Sequence, residues 1–107
     1  MIEQTQEEAL SVIKEIESNP TTTQREVSKK LGISLGKTNY LLKELIYRGL
    51  VSGGSFSNNP GKIRKLSYIL TPKGFEEKMR LVQHFLKKKE AEYKLLKEEL
   101  EKSEKGA

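Results

Sequence analysis

The stretch Thr23-Gln24-Arg25-Glu26-Val27-Ser28-Lys29-Lys30-Leu31-Gly32-Ile33-Ser34-Leu35-Gly36-Lys37-Thr38-Asn39-Tyr40-Leu41-Leu42 decides how this chain is read. It holds two helix starts with one stop between them. Thr23-Gln24-Arg25-Glu26 is a capping box, in which the threonine hydroxyl and the glutamate carboxylate satisfy backbone N–H groups that the first turn leaves without partners. The helix so opened runs to about Leu31 with Val27 and Leu31 inward. Gly32 then suits the left-handed residue that ends a helix, Ile33 is a turn residue turned to the core, and Ser34 is a good N-cap for the next helix. That helix ends near Gly49. Thr38, Leu41, Leu42 and Leu45 share one face of it, and Gly36, Tyr40, Lys43 and Tyr47 the opposite face.

Upstream, Leu10, Ile13 and Ile16, with Ala9 and Val12 beside them, recur at helical spacing from about Thr5 to Glu17, until Asn19-Pro20 breaks the pattern. Downstream, residues 50–56 and 63–70 are β-compatible and are separated by Ser57-Asn58-Asn59-Pro60-Gly61, a turn cluster, so they read as a hairpin. Leu66, Tyr68 and Leu70 alternate toward the helices, and Lys62, Arg64 and Lys65 occupy the tip and second strand. Thr71-Pro72 is an N-cap followed by proline at the first helical position. It opens a long helix to roughly Lys102.

In that last helix Phe75, Met79, Val82, Leu86, Lys89, Tyr93, Leu96 and Leu100 alternate spacings of four and three, the period of a coiled-coil seam. Only Lys89 interrupts the apolar rule. A helix of about thirty residues spans roughly 45 Å, more than a small core covers, so its distal half calls for a second copy. The plainer alternative is one solvated helix held by Glu90-Lys94 and Glu98-Lys102 pairs. The stripe continues past the globular part, which favours self-association.

Composition narrows the function. The chain has 107 residues, 35% of them hydrophobic, which suits one ordinary domain with one appended element. It lacks a run of eighteen apolar residues, and Glu3, Glu7 and Glu8 stand where a signal peptide would be basic, so a cytoplasmic protein without membrane contact is expected. Zero cysteines exclude disulfides and thiolate metal sites, and the single histidine, His84, excludes a His-based triad or a multi-histidine metal cluster within one chain. Glu7-Glu8, Glu76-Glu77 and Glu98-Glu99 are neighbours that diverge by about 100° on a helix and do not converge on one substrate. Gly36-Lys37-Thr38 looks like the end of a phosphate-binding P-loop. However, Leu31 stands where its first glycine belongs, and a helix precedes it where a strand should. No enzyme site, metal site or cofactor site emerges.

The net charge of +5 is unevenly placed: −4 over residues 1–19, +7 over 20–70 and +2 over 71–107. A basic centre between acidic and balanced ends suits a surface that neutralises phosphates. The element order also matters: helix, helix, tight turn, helix, hairpin. In a helix-turn-helix the third helix enters the major groove by its N-terminal half, where side chains must be polar, basic or small. Ser34, Gly36, Lys37, Asn39, Tyr40 and Lys43 meet that demand. Gly36 admits close approach, Lys37 and Lys43 suit phosphate or guanine, and Asn39 suits adenine. Thr23 and Arg25, at the positive end of the preceding helix, suit a backbone phosphate, and Lys62, Arg64 and Lys65 suit a neighbouring minor groove. Singly, each is an ordinary solvated side chain; jointly they point to double-stranded DNA. The expected fold is mainly α with a small β-hairpin (α+β). It comprises a winged helix-turn-helix over residues 1–71 that binds DNA and a long coiled-coil-like helix over 72–107 that makes a homodimer. An interaction module using the same fold as a docking scaffold is the alternative.

Val27, Leu31, Gly32, Ile33, Thr38 and Leu41, with Arg48-Gly49-Leu50-Val51 and Leu70-Thr71-Pro72-Lys73-Gly74, resemble the helix-turn-helix and wing borders of MarR-type winged-helix regulators. A narrower similarity, to the small MarR-family regulators associated with exopolysaccharide gene clusters, rests first on Asn19-Pro20, Thr23 to Glu26, Leu31 to Lys37 and Asn39-Tyr40. It continues through Leu70 to Gly74, Phe85-Leu86-Lys87 and Glu92-Tyr93. It covers the chain from about Asn19 to Glu101 and implies a dimeric, DNA-binding transcription factor.

Overall fold

The computed structural model describes residues 3–55 and 66–106. The order is α1 (Glu3–Ser18), α2 (Gln24–Leu31), α3 (Leu35–Tyr47), β1 (Val51–Ser55), β2 (Leu66–Leu70) and α4 (Pro72–Lys105). This matches the expected mainly α architecture with a hairpin and a long last helix. The hairpin tip, including Lys62, Arg64 and Lys65, lies outside the described residues.

The short helices form where local chemistry starts and stops them. Both halves of the capping box at the head of α2 are made: Thr23 accepts from the Glu26 backbone N–H, and the Glu26 carboxylate accepts from that of Thr23. Gly32 ends the helix at φ 65°, where a side chain would strain the backbone. Ser34 caps α3 by accepting from Lys37 N–H, and Thr71 caps α4 by accepting from Gly74 N–H with Pro72 in the first turn.

Helix α1 supplies Ala9, Val12, Ile13 and Ile16, α2 supplies Val27, and α3 supplies Leu41, Leu42 and Leu45 to one core, closed below by Leu50, Val51 and Tyr68. Leu10, Leu31, Ile33 and Leu70 pack around it half-buried. The two polar residues inside are satisfied: Thr22 Oγ1 donates to Glu26 Oε2 at 3.2 Å, and Thr38 Oγ1 to the Ser34 carbonyl at 2.9 Å.

The hairpin is antiparallel, pairing Val51 with Leu70 and Gly53 with Tyr68. Its second strand also reaches the α1–α2 turn, where Tyr68 N–H donates to the Pro20 carbonyl at 3.0 Å. Alternation holds, with Tyr68 buried and Ile69 facing out. At the far end the Leu50 carbonyl accepts from Thr71 N–H at 3.1 Å, and the Thr71 hydroxyl donates to the Gly49 carbonyl at 2.6 Å. Helix α4 sits so close to this junction that a Cβ on Gly74 would lie 1.9 Å from the Leu50 carbonyl oxygen.

Helix α4 meets the core through Gly74, Leu81 and Phe85. This contact stripe lies roughly 110° around the helix from the seam, at 100° per residue, so the seam remains outside: Phe75, Met79 and Leu86 are exposed. Helix α1 runs antiparallel to α4, with Glu17 bonded to Lys78 and Glu3 to Lys88 at 2.9 Å. The exposed His84 sits edge-on to Phe85, its Nε2 3.4 Å from Glu3 Oε1. The whole measures 71 × 26 × 22 Å, the long dimension being α4 projecting past the globular part. Among the described residues no helix is long and apolar enough to cross a membrane.

Candidate nucleic-acid interface

The second and third helices are locked together before anything binds. Ser28 Oγ donates to the Ile33 carbonyl at 2.6 Å across the turn, and Gln24 Nε2 donates to Asn39 Oδ1 at 3.4 Å from one helix to the other. The buried Thr38, Leu41, Leu42 and Leu45 then fix which face of α3 looks outward. That face carries Gly36, Tyr40, Lys43 and Tyr47, as the helical spacing requires, with Leu35 also exposed beside them. Tyr47 is 88% exposed, so the rim of α3 offers an aromatic ring left open among the described residues.

A Cβ on Gly36 would meet nothing within 4 Å, so packing inside the chain does not ask for glycine there. A close approach from outside does supply a reason. Arg25 and Lys43 are exposed and form no ion pair among the described residues. Thr23 and Ser34 are committed through their side chains to capping, although both remain at the surface.

Lys37 and Asn39 are placed differently from Lys43. The Lys37 ammonium lies 2.9 Å from Glu8 Oε1 on α1 and is partly covered, and Glu8 Oε2 is buried without a hydrogen-bond partner among the described residues. Lys37 therefore braces α3 against α1, and the lysine offers a ligand only what this pair leaves free. Asn39 is half-buried, with its carbonyl oxygen engaged by Gln24. Sequence reasoning missed Glu8 and Gln24 as partners of this surface. Glu8 is 29 residues from Lys37, beyond any local pattern, and nothing in the Thr23 to Glu26 capping box marks Gln24 for a partner on the next helix. Lys30 is likewise tied to α1: its ammonium bonds to Glu15 at 2.7 Å, and that bond raises its pKa above the ordinary lysine value.

A cleft of about 280 Å³ opens between α1, α3 and α4, on the side away from the outward face of α3. Glu77 and Arg80 form an ion pair on its rim, and the hydrogen bond from the Arg80 guanidinium holds the Glu77 carboxyl below the usual carboxylate range. Arg48 and Glu44 also line it.

Residues 9–52 match the family described as winged helix-turn-helix DNA-binding. That segment contains every α3 position singled out above, with the capping box and the first core helix from Ala9 onward. No curated protein matches the chain in sequence. Among solved structures, Staphylococcus aureus MarR in complex with salicylate and kanamycin is 25% identical, over 78% of this chain and 53% of its own, at a TM-score of 0.57. The transcriptional repressor CouR bound to a 23-mer DNA duplex is 28% identical over 69% of this chain and 50% of its own, at 0.55. Lactococcus lactis ZitR in complex with DNA shares the fold at 23% identity, over 89% of this chain and 60% of its own, at 0.60. The chain spans half to three fifths of the length of these proteins.

Proposed function

We propose that this chain is a sequence-specific transcriptional regulator of the MarR winged-helix type, binding double-stranded DNA as a homodimer. Helix α3 enters the major groove, and the hairpin over residues 50–70 serves as the wing. The observation that carries this reading is the outward face of α3. Gly36, Tyr40, Lys43 and Tyr47 are turned away from the core on a helix fixed at both ends, with Arg25 exposed at the positive N-terminus of α2. Such a face is rigid, small where close approach is needed and cationic where phosphates would lie. The neighbours that are themselves DNA complexes support it, and leave the docking-scaffold reading with less in its favour.

Within that reading Arg25 and Lys43 hold phosphate or guanine, Gly36 admits the backbone, Asn39 reads a base edge and Lys62, Arg64 and Lys65 act from the wing. Residues 1–71 form the binding unit and 72–107 the dimerisation helix, through Phe75, Met79, Val82, Leu86, Tyr93, Leu96 and Leu100. The run from Leu31 to Tyr40 further supports the small subtype associated with exopolysaccharide gene clusters. A regulator of this kind works in the cytoplasm.

The test is fluorescence anisotropy with genomic DNA fragments across a salt series. Affinity should fall steeply with salt, and Arg25→Ala and Lys43→Ala should each lower the log–log salt slope by about one, the release of one counterion-displacing contact. Lys37→Ala is a poorer probe, because it also strands Glu8. Salt-independent binding, or affinity untouched by Arg25→Ala with Lys43→Ala, would overturn the proposal.

A further inference from the structure

The dimer proposed above leaves open which way the two long helices run, and the exposed side chains of α4 decide it. We infer that two copies pair antiparallel through α4 in one register, with Phe75 against the partner's Leu100. This inference rests on the dimer reading.

The seam is free to pair. Phe75, Met79, Leu86, Tyr93, Leu96 and Leu100 are all exposed and Val82 is half-buried, while the contact with the chain's own core uses the separate stripe of Gly74, Leu81 and Phe85. From Leu86 to Gly106 every residue is exposed, so nothing among the described residues obstructs a second helix there.

Consider first the parallel arrangement, in which each seam residue meets its own copy. Lys89 would then face the partner's Lys89 inside the seam, with both ammonium groups desolvated by the same layer. On the flanks Glu92 would lie near the partner's Lys97, but Glu99 would lie near the partner's Glu104. One attractive flank is cancelled by one repulsive flank, and the lysine layer remains against it.

Antiparallel pairing about the point between Lys87 and Lys88 removes both conflicts. Met79 then meets the partner's Leu96 near the ends of the coil. Val82 meets the partner's Tyr93, and toward the middle Leu86 covers the aliphatic stem of the partner's Lys89 while its ammonium reaches solvent. All eight seam positions find a layer. On one flank Glu76 lies beside the partner's Lys97, and on the other Lys78, already bonded to Glu17, lies beside the partner's Glu99. Gln83 lies beside the partner's Glu90, and the partner's Glu92 runs past Phe85, which stays in its own core, so neither flank brings like charges together.

Shifting by one heptad loses this match. In one direction Leu96 and Leu100 lose their layers and Glu76 meets the partner's Glu90. In the other, Phe75 and Met79 lose their layers, and Glu90 and Glu92 each meet their own counterparts. Charge complementarity and full use of the seam therefore select the same register.

The chain has no cysteine, so introduced thiols report the pairing without background. In the antiparallel register Val82→Cys and Tyr93→Cys face one another, whereas two copies of Val82 are separated by eleven residues, about 16 Å along the coil. The full chain carrying either substitution alone should form no disulfide under mild oxidation, and an equimolar mixture should give a covalent dimer. Efficient self-cross-linking of either single variant would overturn the antiparallel pairing. So would a mixture that fails to cross-link.

A second experiment does not depend on oxidation. Glu76→Lys and Lys97→Glu should each weaken dimerisation at least about fivefold in sedimentation, since each change counts twice in a symmetric pair, and the double variant should restore it. No recovery would overturn the register. A monomeric parent chain would overturn the pairing and the dimer together, while salt-dependent DNA binding, read separately by anisotropy, would still stand for the function.

Discussion

Helix α4 is one continuous element whose two halves live in different surroundings. From Pro72 to Phe85 it is part of the domain: Thr71 caps it onto the end of α3, Gly74 touches the Leu50 carbonyl, and Leu81 and Phe85 are buried. From Leu86 onward the Lys88–Glu3 ion pair is the one tie to it among the described residues, and Tyr93, Leu95, Leu96 and Leu100 are 60–68% exposed. The same helical period means two things. In the proximal half it marks residues that stabilise the monomer. In the distal half the apolar side chains stabilise nothing in a single chain, and helical order there rests on good helix formers and Glu/Lys pairs at i,i+4. An amphipathic stripe in a sequence thus identifies a face that wants covering, not whether the chain covers it itself.

The sharpest way to break this contrast is to substitute one residue in each half. Gly74→Ala drives a methyl group into a backbone carbonyl that cannot yield, and should cost about 3 kcal/mol or more, seen as a large fall in the urea midpoint. Leu81→Ala should cost about 2–4 kcal/mol by leaving a cavity. If either were tolerated as well as Leu96→Ala in the isolated monomer, the division between the halves would be wrong.

The second prediction concerns the distal half alone. Leu96→Lys with Leu100→Lys should raise the dimer dissociation constant at least about tenfold, roughly 1.4 kcal/mol. The circular dichroism of the globular part should stay unchanged, and light scattering with far-ultraviolet spectra measures both. Loss of fold would show that the distal helix supports the domain after all.

The smallest effect is on pH. Glu77 is held below the ordinary carboxylate pKa by its hydrogen bond to Arg80, and Glu3 by its hydrogen bond to Lys88 with a further contribution from His84. A lowered pKa contributes stability that is present above the unfolded value and lost as pH falls through the folded one. Acidification below about pH 4 should therefore loosen the Glu3–Lys88 tie between α1 and α4 and the Glu77–Arg80 pair within α4. Because both pairs are solvent-exposed, the change in thermal midpoint should be small and should shrink in salt.

Much of this was legible in the chain because the signals were local. The capping box at Thr23, the left-handed Gly32, the Ser34 and Thr71 caps and the inward face of α3 each depend on residues within four positions of one another, and each forms as read. The hairpin with Tyr68 inward and the outward placement of Tyr40 and Lys43 follow from the same periodicities. What sequence could not give were side-chain partners far apart along the chain. Lys37 reads as a free cation until Glu8 is seen beside it, and Asn39 as a free amide until Gln24 is. The seam hid a second stripe for a related reason: Leu81 and Phe85 fall outside its rhythm, and only α1 lying along them shows that they, and not Phe75 or Met79, hold the helix to its domain.

The Leu50 carbonyl has a mechanical meaning. It ends the α3 connection, starts β1, accepts from the first residue before α4 and abuts Gly74, so three elements share one atom with no slack loop among them. The Pro20 bond to Tyr68 fastens the other end of β2 to the turn before α2. A torque applied to the long helix therefore has no compliant segment to dissipate in. It turns the base of the hairpin and the end of α3 together, so whatever grips the distal rod sets the pitch at which the outward face of α3 is presented.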